Sequence, residues 1–386
     1  MSITEQEELF GKDYQEFREY DPFNQGNEVA GIISRKPNEY YGALLIREVN
    51  GQKVTPQLIM GSPKMHYPFS PKADGTRSYL FPTVRNIECY VKIDGTNILA
   101  YYYNDLRGQR YLSYKTRLRP FVQNSRFGPF QDMWREVGVE WAHKLKGIMH
   151  DCNCNLSFEL YGARNPHLVV YEVPLAITLL FGISNAGRIL SITDMGLASG
   201  TDYRTLTTLP LVQRMAVIDK DYVWNYEQSQ QSLEAGLTQV DEDHYSGTEG
   251  QVWYLHYPDG HCIQFKCKPE TIESIHFAPT AHIGKNVIMT TAWNALENVD
   301  ELTTKVVADL LREEFDDHEI ETNMDLITKC INTVMQDVVF REEVLKAYKA
   351  TGFNILVDKA AVMRELSSAF SKKDMRRVYG IITTWG

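Results

Sequence analysis

Between residues 76 and 285 the chain is a succession of short runs rich in β-branched and aromatic side chains: IECYVKI, NILAYYY, RYLSYKT, LSFELYG, ITLLFGI, GQVWYLHY and HCIQFKCK. Such runs suit pleated, half-buried strands. Turn signals divide them at Asp94-Gly95, Arg107-Gly108 and Pro258-Asp259-Gly260, and the last of these predicts a hairpin. Strands joined this closely pair antiparallel, because a parallel pair needs a crossover of a dozen or more residues. From about residue 290 the period becomes helical. Val306, Val307, Leu310, Leu311 and Phe315 form one stripe. Leu326, Ile327, Cys330, Ile331, Val334 and Val338 form a second; Val362, Met363, Leu366 and Phe370 form a third. Stripes of this spacing read as helix faces turned to a core, and Ser371 with Asp374 resembles the start of a last helix.

The expected class is therefore α+β, in three parts. Residues 1–75 form a small N-terminal module containing β structure, with a hairpin signalled by Asn50-Gly51 between YYGALLIREV and the run from Lys53 to Met60. Residues 76–285 form the antiparallel-sheet domain, interrupted by a helix over about Gln131–His150, where Trp134, Val137, Trp141 and Leu145 recur at helical spacing. Residues 286–386 form a helical C-terminal domain. A length of 386 residues accommodates this division, and 43% apolar residues supply a real core.

Net charge narrows the function classes. At −10 the chain is unlike proteins that coat nucleic acid non-specifically, whose affinity comes from neutralising phosphates. An enzyme that touches only strand ends through a local basic patch remains compatible. The N-terminal sequence lacks the basic-then-apolar pattern of a secretory signal, and no apolar run approaches membrane-span length. Six cysteines in so long a chain fit reduced thiols, and with these features they lead to the expectation of a cytoplasmic protein with no membrane partner. Cys152 and Cys154 beside His150 lack the partner pair that a closed zinc site needs.

The residues that carry chemistry lie at strand ends. Lys92 opens Lys92-Ile93-Asp94-Gly95-Thr96-Asn97 at a strand–turn junction. Taken alone, its first four residues are a good turn and little more. Glu159 ends a strand in SFELYG, and Glu249 leads into one in GTEGQVWYL. Lys266 and Lys268 alternate in QFKCKP, so a strand puts both amines on one face with Cys267 on the other. Arg117 follows in SYKTRLRP, and Phe181 lies in ITLLFGI. Together they meet one chemical need. A lysine amine must be neutral to attack a nucleotide α-phosphate, and neighbouring cations with partial desolvation favour that form. The same cations then neutralise developing phosphate charge. Carboxylates hold Mg²⁺ largely through water, and an aromatic ring stacks on a base.

The ordered set KIDGTN, FELYG, LLFGI, GTEGQVWYL and FKCKP resembles the covalent nucleotidyltransferase superfamily of DNA ligases, RNA ligases and mRNA capping enzymes. Within it the chain is most similar to the archaeal-type homodimeric ATP-dependent RNA ligases. That closer resemblance is carried by Met60-Gly61-Ser62-Pro63-Lys64-Met65, by Thr116-Arg117, and by GARNPHLVVYEVPLAITLLFGI. It spans roughly residues 55 to 270.

The resemblance implies an antiparallel nucleotidyltransferase (adenylation) domain and ATP as the nucleotide, with AMP carried covalently on Lys92. It implies Glu159 on ribose or metal, Phe181 on adenine, Glu249 supporting the metal and Lys266 with Lys268 on the phosphates. Arg117 would contact phosphate or ribose. Asn97 joins the nucleotide contacts, and Asp94 joins Glu159 and Glu249 as a metal residue for Mg²⁺ or Mn²⁺. The partners it implies are RNA ends carrying a 5′-phosphate and a 3′-hydroxyl, or DNA ends, and a second copy of the chain through the C-terminal domain. Val91 stands before the lysine, where relatives commonly carry an acid, and Leu118-Arg119 replaces a glycine pair that often follows the arginine.

The rival readings are an ATP-dependent DNA ligase, a GTP-using guanylyltransferase, and an inert binding protein with the same fold. The helical tail favours RNA ligase over DNA ligase, and the five intact motifs disfavour the inert protein. Other candidates read as structural: His244, His256 and His261 as scattered histidines, Asp241-Glu242-Asp243 as a solvated loop, and Lys64 as either structural or phosphate-facing.

Overall fold

In a computed structural model, the described residues are 9–385 except 12, 37, 64, 72–75, 126–127, 199–205, 242–243, 277–282, 313–314 and 316. Lys64 and two members of the acidic loop, Glu242 and Asp243, thus lie outside the described residues.

The first strands form one antiparallel sheet in sequence order: β1 (Tyr14–Tyr20), β2 (Glu28–Ser34), β3 (Leu44–Val49) and β4 (Gln52–Ile59). The Asn50-Gly51 signal is the β3–β4 turn, with φ of 54° and 70° at its two residues. A left-handed pair of this kind matches the twist of the strands it joins. A short hairpin follows, β5 (Phe69–Pro71) with β6 (Arg77–Tyr79).

Two larger antiparallel sheets then share the predicted strand runs. The first strands to enter them are β7 (Asn86–Lys92), β8 (Thr96–Asn104) and β9 (Arg110–Lys115). Helices α1 (Phe130–Val137) and α2 (Ala142–Asp151) occupy the expected helical stretch. They are separated by a 3-10 turn over Val139–Trp141, so the predicted single helix is broken after Gly138. Next come β10 (Cys154–Tyr161), β11 (Ala176–Ser184), β12 (Ile189–Leu190), α3 (Ile192–Ala198), β13 (Arg214–Ile218) and α4 (Tyr222–Ala235). The small pair β14 (Thr238–Gln239) and β15 (Tyr245–Ser246) precedes the predicted hairpin of β16 (Gly250–His256) and β17 (Cys262–Cys267), and α5 (Glu270–His276) follows it.

One sheet has the order β12-β11-β10-β8-β9 and the other β13-β7-β16-β17. Strands β7 and β8 are consecutive in sequence but belong to different sheets. The Lys92–Asn97 motif is therefore the passage from one sheet to the other.

The chain divides into two compact units. One comprises Met1–Asn124, Pro129–Pro279 and Glu297–Val299; the other comprises Ser125–Gly128, Thr280–Leu296 and Asp300–Gly386. The first has a continuous core that includes Leu44, Ile46, Tyr101, Trp134, Phe158, Leu179 and Phe181. A second apolar cluster around Trp253, Tyr226 and Cys267 lies behind β7, β16 and β17.

The other unit is helical, as the change of period predicts: α6 (Lys285–Ala295), α7 (Thr304–Leu311), α8 (Asp317–Thr322), α9 (Met324–Thr351), α10 (Lys359–Leu366) and α11 (Met375–Trp385). Ile327, Cys330, Ile331, Val334 and Val338 are buried on α9, and Val362 and Leu366 on α10. Ser371 Oγ donates to Asp374 Oδ2 at 2.7 Å just ahead of α11. The fold is α+β. No helix among the described residues is long and apolar enough to cross a membrane.

Candidate active site

Lys92 is the last residue of β7 and pairs in register with Gly250, the first residue of β16. That register places Glu249 beside it, and the Lys92 ammonium forms an ion pair with Glu249 Oε2. The other oxygen, Glu249 Oε1, accepts from Lys268 Nζ at 2.8 Å. Glu249 is only 4% exposed. Burial alone would raise its carboxyl, but Lys268 and Lys92 outweigh burial and hold it well below the ordinary carboxylate range. Lys266 and Lys268 are both buried, as is Cys267 between them. Lys266 Nζ lies 4.3 Å from the centroid of the Tyr67 ring, while Cys267 packs with Trp253 and Tyr226. The expected separation of amines from thiol is present.

The second sheet supplies the opposing residues. Glu159 on β10 pairs with Asn97 on β8, and Ser157 pairs with Phe181 on β11. Residues directly across a sheet share a face, as do residues two apart on a strand. Asn97, Ser157, Glu159 and Phe181 therefore point to one side. The Asn97 amide donates to Ser157 Oγ at 2.9 Å and to Glu159 Oε2 at 3.4 Å. Ser62 Oγ, from the GSPK stretch, donates to Asn97 Oδ1 at 2.7 Å. Burial pushes Glu159 up to about 8; Glu249 and Asp94 add to the rise, and Lys92 with Asn97 opposes it.

Between the sheets, the Asp94-Gly95 turn is latched to the segment after Glu159. Asp94 N donates to Tyr171 Oη at 2.8 Å, and Asp94 Oδ2 accepts from Val169 N at 2.8 Å. Burial raises the Asp94 carboxyl, and Glu249 adds to the rise. Gly95 is needed for contact reasons: a Cβ there would lie 2.3 Å from Leu160 O. Thr96 is fully buried, and its hydroxyl accepts from Asn165 Nδ2 at 3.0 Å. Arg117 follows β9, and the charge of Lys115 is spent on shaping the turn that carries it. Lys115, 1% exposed, donates to Thr116 O at 2.7 Å and Arg117 O at 2.9 Å. Burial, with Arg117 and Arg35 nearby, lowers the Lys115 ammonium to about 7. Arg117 Nε and Thr116 Oγ1 are buried and have no hydrogen-bond partner among the described residues.

The structure thus brings Lys92, Asp94, Asn97, Glu159, Glu249 and Lys268 together, with Phe181 on the Asn97 face. Sequence reasoning did not single out Thr96, Asn165, Tyr171 or Lys115. Asn165 and Tyr171 sit inside GARNPHLVVYEVPLA, so the stretch was visible while their partners were not. Of the three histidines, His244 binds Asp241 at 2.8 Å and His261 stacks on Tyr257 with centroids 5.0 Å apart. His256 is buried between Glu88 at 3.3 Å and Asp194 at 3.7 Å.

No protein-family model and no curated protein matches the chain in sequence. Solved structures do resemble it. An archaeal ATP-dependent RNA ligase in one form aligns over 89% of this chain and 79% of its own, with 15% identity and a TM-score of 0.46. A second form of an archaeal ATP-dependent RNA ligase aligns over 95% and 86%, with 15% identity and a TM-score of 0.44. The Naegleria gruberi RNA ligase with PPi covers 67% of this chain and 96% of its own, with 12% identity and a TM-score of 0.34. At these TM-scores the chemistry rests on the residues of this chain.

Among the described residues no three carboxylates, histidines or cysteines converge to hold a metal by themselves. Asp94, half-buried, and Glu159, buried, still suit a magnesium ion that keeps most of its water and shares its charge with nucleotide phosphates.

Proposed function

We infer that this chain is an ATP-dependent RNA ligase working through an adenylate on Lys92. The observation that carries the reading is the shared carboxylate: one buried Glu249 holds Lys92 and Lys268 side by side at the crossing between the sheets, with Glu159 and Asn97 on the second sheet. A lysine kept in place by a buried acid, next to a second amine and beside the Glu159 carboxylate, is arranged to receive a polyphosphate with a divalent cation.

In the first step the Lys92 Nζ lone pair attacks the α-phosphorus of ATP. The N–P bond forms, the bond from that phosphorus to the bridging oxygen breaks, and pyrophosphate leaves. The amine has to lose its extra proton to water before it attacks; Glu249, hydrogen-bonded to it and held well below the ordinary carboxylate range, orients it. Lys268 and Lys266 offset charge on the phosphates, and Phe181 offers its ring to the purine. A divalent cation bound with the nucleotide would supply further neutralisation of the triphosphate, with Asp94 and Glu159 as the residues to hold it. The adenylyl group then passes to a 5′-phosphate end, and a 3′-hydroxyl displaces AMP to close the phosphodiester. The same reading takes 1–75, 76–285 and 286–386 as the functional parts, with the last pairing two copies of the chain, and a cytoplasmic role in RNA repair.

The test is incubation with α-labelled ATP or GTP and Mg²⁺, followed by denaturing electrophoresis. Label from ATP on the wild type and none on Lys92→Ala is expected. A wild type that stays unlabelled, or a labelled Lys92→Ala, sinks the mechanism. Label from GTP alone makes the protein a guanylyltransferase, and sealing of DNA but not RNA strands makes it a DNA ligase.

A further inference from the structure

Strand β17 is the edge of its sheet, and Lys266 and Lys268 sit at its end. Lys266 N donates to His66 O at 2.9 Å, on the side away from β16. In an antiparallel strand the N–H and C=O of one residue point the same way, and residues two apart repeat that direction. The carbonyls of Lys266 and Lys268 therefore face outward from the sheet, and helix α4 meets both. Tyr226 Oη donates to Lys266 O at 3.2 Å, and Gln230 Nε2 donates to Lys268 O at 3.0 Å. The spacings match: four residues of helix rise about 6.0 Å and two residues of strand about 6.7 Å. Lys268 depends on its bond the more, because the β16–β17 pairing ends at Cys267 and the following Pro269 has no N–H to continue it.

The Gln230 amide cannot turn over. Its Oε1 accepts from Arg77 Nη1 at 2.6 Å, and a guanidinium only donates. Its Nε2 also donates to Glu273 Oε2 at 2.6 Å, and Glu273 Oε1 accepts from Arg77 Nη2 at 2.5 Å. Gln230 and Glu273 are both buried, and the Tyr226 ring is held edge-on by Trp253 with centroids 5.4 Å apart. None of Arg77, Tyr226, Gln230 and Glu273 lies in the five motifs.

We propose that Tyr226 and Gln230 are positioning residues for the outer phosphates of the nucleotide, holding Lys266 and Lys268 through their main-chain carbonyls, with Arg77 and Glu273 fixing the Gln230 amide. The inference rests on the adenylating function proposed above, in which the two lysines offset charge on the phosphates. Two buried ammoniums on alternate residues of an edge strand repel each other, and the Glu249 carboxylate that holds Lys268 is shared with Lys92. Side-chain bonds alone therefore leave the end of β17 without a fixed main chain. Reacting groups displaced by about 1 Å lose much of their effect, so the carbonyl bonds bear directly on the grip. Tyr226 and Gln230 are neutral, and the charged pair behind them, Arg77 with Glu273, is closed on itself. They place the lysines without adding charge beside a triphosphate.

The experiment measures equilibrium binding of ATP and of AMP, with Mg²⁺, to Lys92→Ala alone and combined with Gln230→Leu, Tyr226→Phe or Lys268→Ala. AMP lacks only the two outer phosphates, so the ratio of ATP to AMP affinity reads the grip on them. A hydrogen bond between neutral groups is worth roughly 2- to 10-fold. Gln230→Leu should lower the ratio by about 10-fold and Tyr226→Phe by about 3-fold, with AMP affinity unchanged. Lys268→Ala should lower it as well, and adding Gln230→Leu to that variant should lower it no further, because both act through one ammonium. Tyr226→Phe, which loses one oxygen and no packing, serves where Gln230→Leu does not fold. Equal losses for ATP and AMP, an unchanged ratio, or additive losses in the double variant would each overturn the proposal; the first is what a merely structural role produces. Labelling of Lys92 in the wild type separates this from the function beneath it. No label, with the ratio still falling in Gln230→Leu, sinks adenylation and leaves the positioning role standing. Absence of ATP binding overturns both.

Discussion

Lys268 Nζ and Glu249 Oε1 form a buried ion pair at 2.8 Å, and the remaining oxygen of that carboxylate is committed to Lys92. One acid therefore positions two amines that electrostatics would otherwise drive apart. Glu249→Ala leaves two cations in a largely dry site, and breaking a buried pair of this kind costs about 3–5 kcal/mol. A clear drop in melting temperature together with loss of Lys92 labelling is expected. Glu249→Gln keeps the shape and separates the effects: stability should recover in part while labelling stays strongly reduced. Full labelling of the glutamine variant would show that the charge has no part in the reaction.

Asp94 and Tyr171 tie the crossing turn to the segment beyond Glu159. Removing the Tyr171 hydroxyl leaves Asp94 N without its acceptor in a part-buried position, a loss of about 1–3 kcal/mol. Tyr171→Phe should lower stability by that order and slow adenylate formation, because the turn sets the Lys92 geometry. Urea denaturation and single-turnover labelling measure the two effects. An unchanged rate would mean that the turn holds its shape without the latch.

Gly95 has no room for a side chain. A Cβ at 2.3 Å from Leu160 O forces backbone movement between β8 and β10. Gly95→Ala is expected to cost about 1–3 kcal/mol through overpacking, and to impair labelling more than its stability loss explains. Normal melting and normal labelling in this variant would contradict the close approach.

Glu88 governs acid stability away from the active site. Burial raises its carboxyl, but the neighbouring His256, Thr193 and Tyr90, the last donating to it at 3.0 Å, outweigh burial and hold it at about 2, against an ordinary 4.5. A folded value below the unfolded one stabilises the native state above the unfolded value, and that contribution is lost as pH falls from about 4.5 towards 2. The shift corresponds to roughly 3 kcal/mol. Glu88→Gln should therefore lose stability at neutral pH and lose less than the wild type on acidification. Parallel stability–pH profiles for the two proteins would refute this account.

Much of the candidate site was legible because its residues sit at strand ends and in turns, where short-range rules are strong. The Asn50-Gly51 turn, the β16–β17 hairpin and the opposed amines and thiol of Lys266, Cys267 and Lys268 all follow from local steric preference and the two-residue period of a strand. The helix expected over residues 131–150 was legible as helical but not as two pieces, since its apolar spacing runs through Gly138 without a break.

What the sequence by itself determined is the α+β class, the change from strand to helix period near residue 290, and the set of charged residues at the ends of strands. Those depend on neighbours a few residues apart. Only the tertiary structure decided that β7 and β8 belong to different sheets, that the one carboxylate of Glu249 serves both Lys92 and Lys268, and that Asn298 accepts from Leu118 N on the turn after Arg117. Strand register and sheet crossing set these relations, bringing together side chains far apart in sequence. No local pattern encodes a distance between residues 92 and 249 or between 118 and 298.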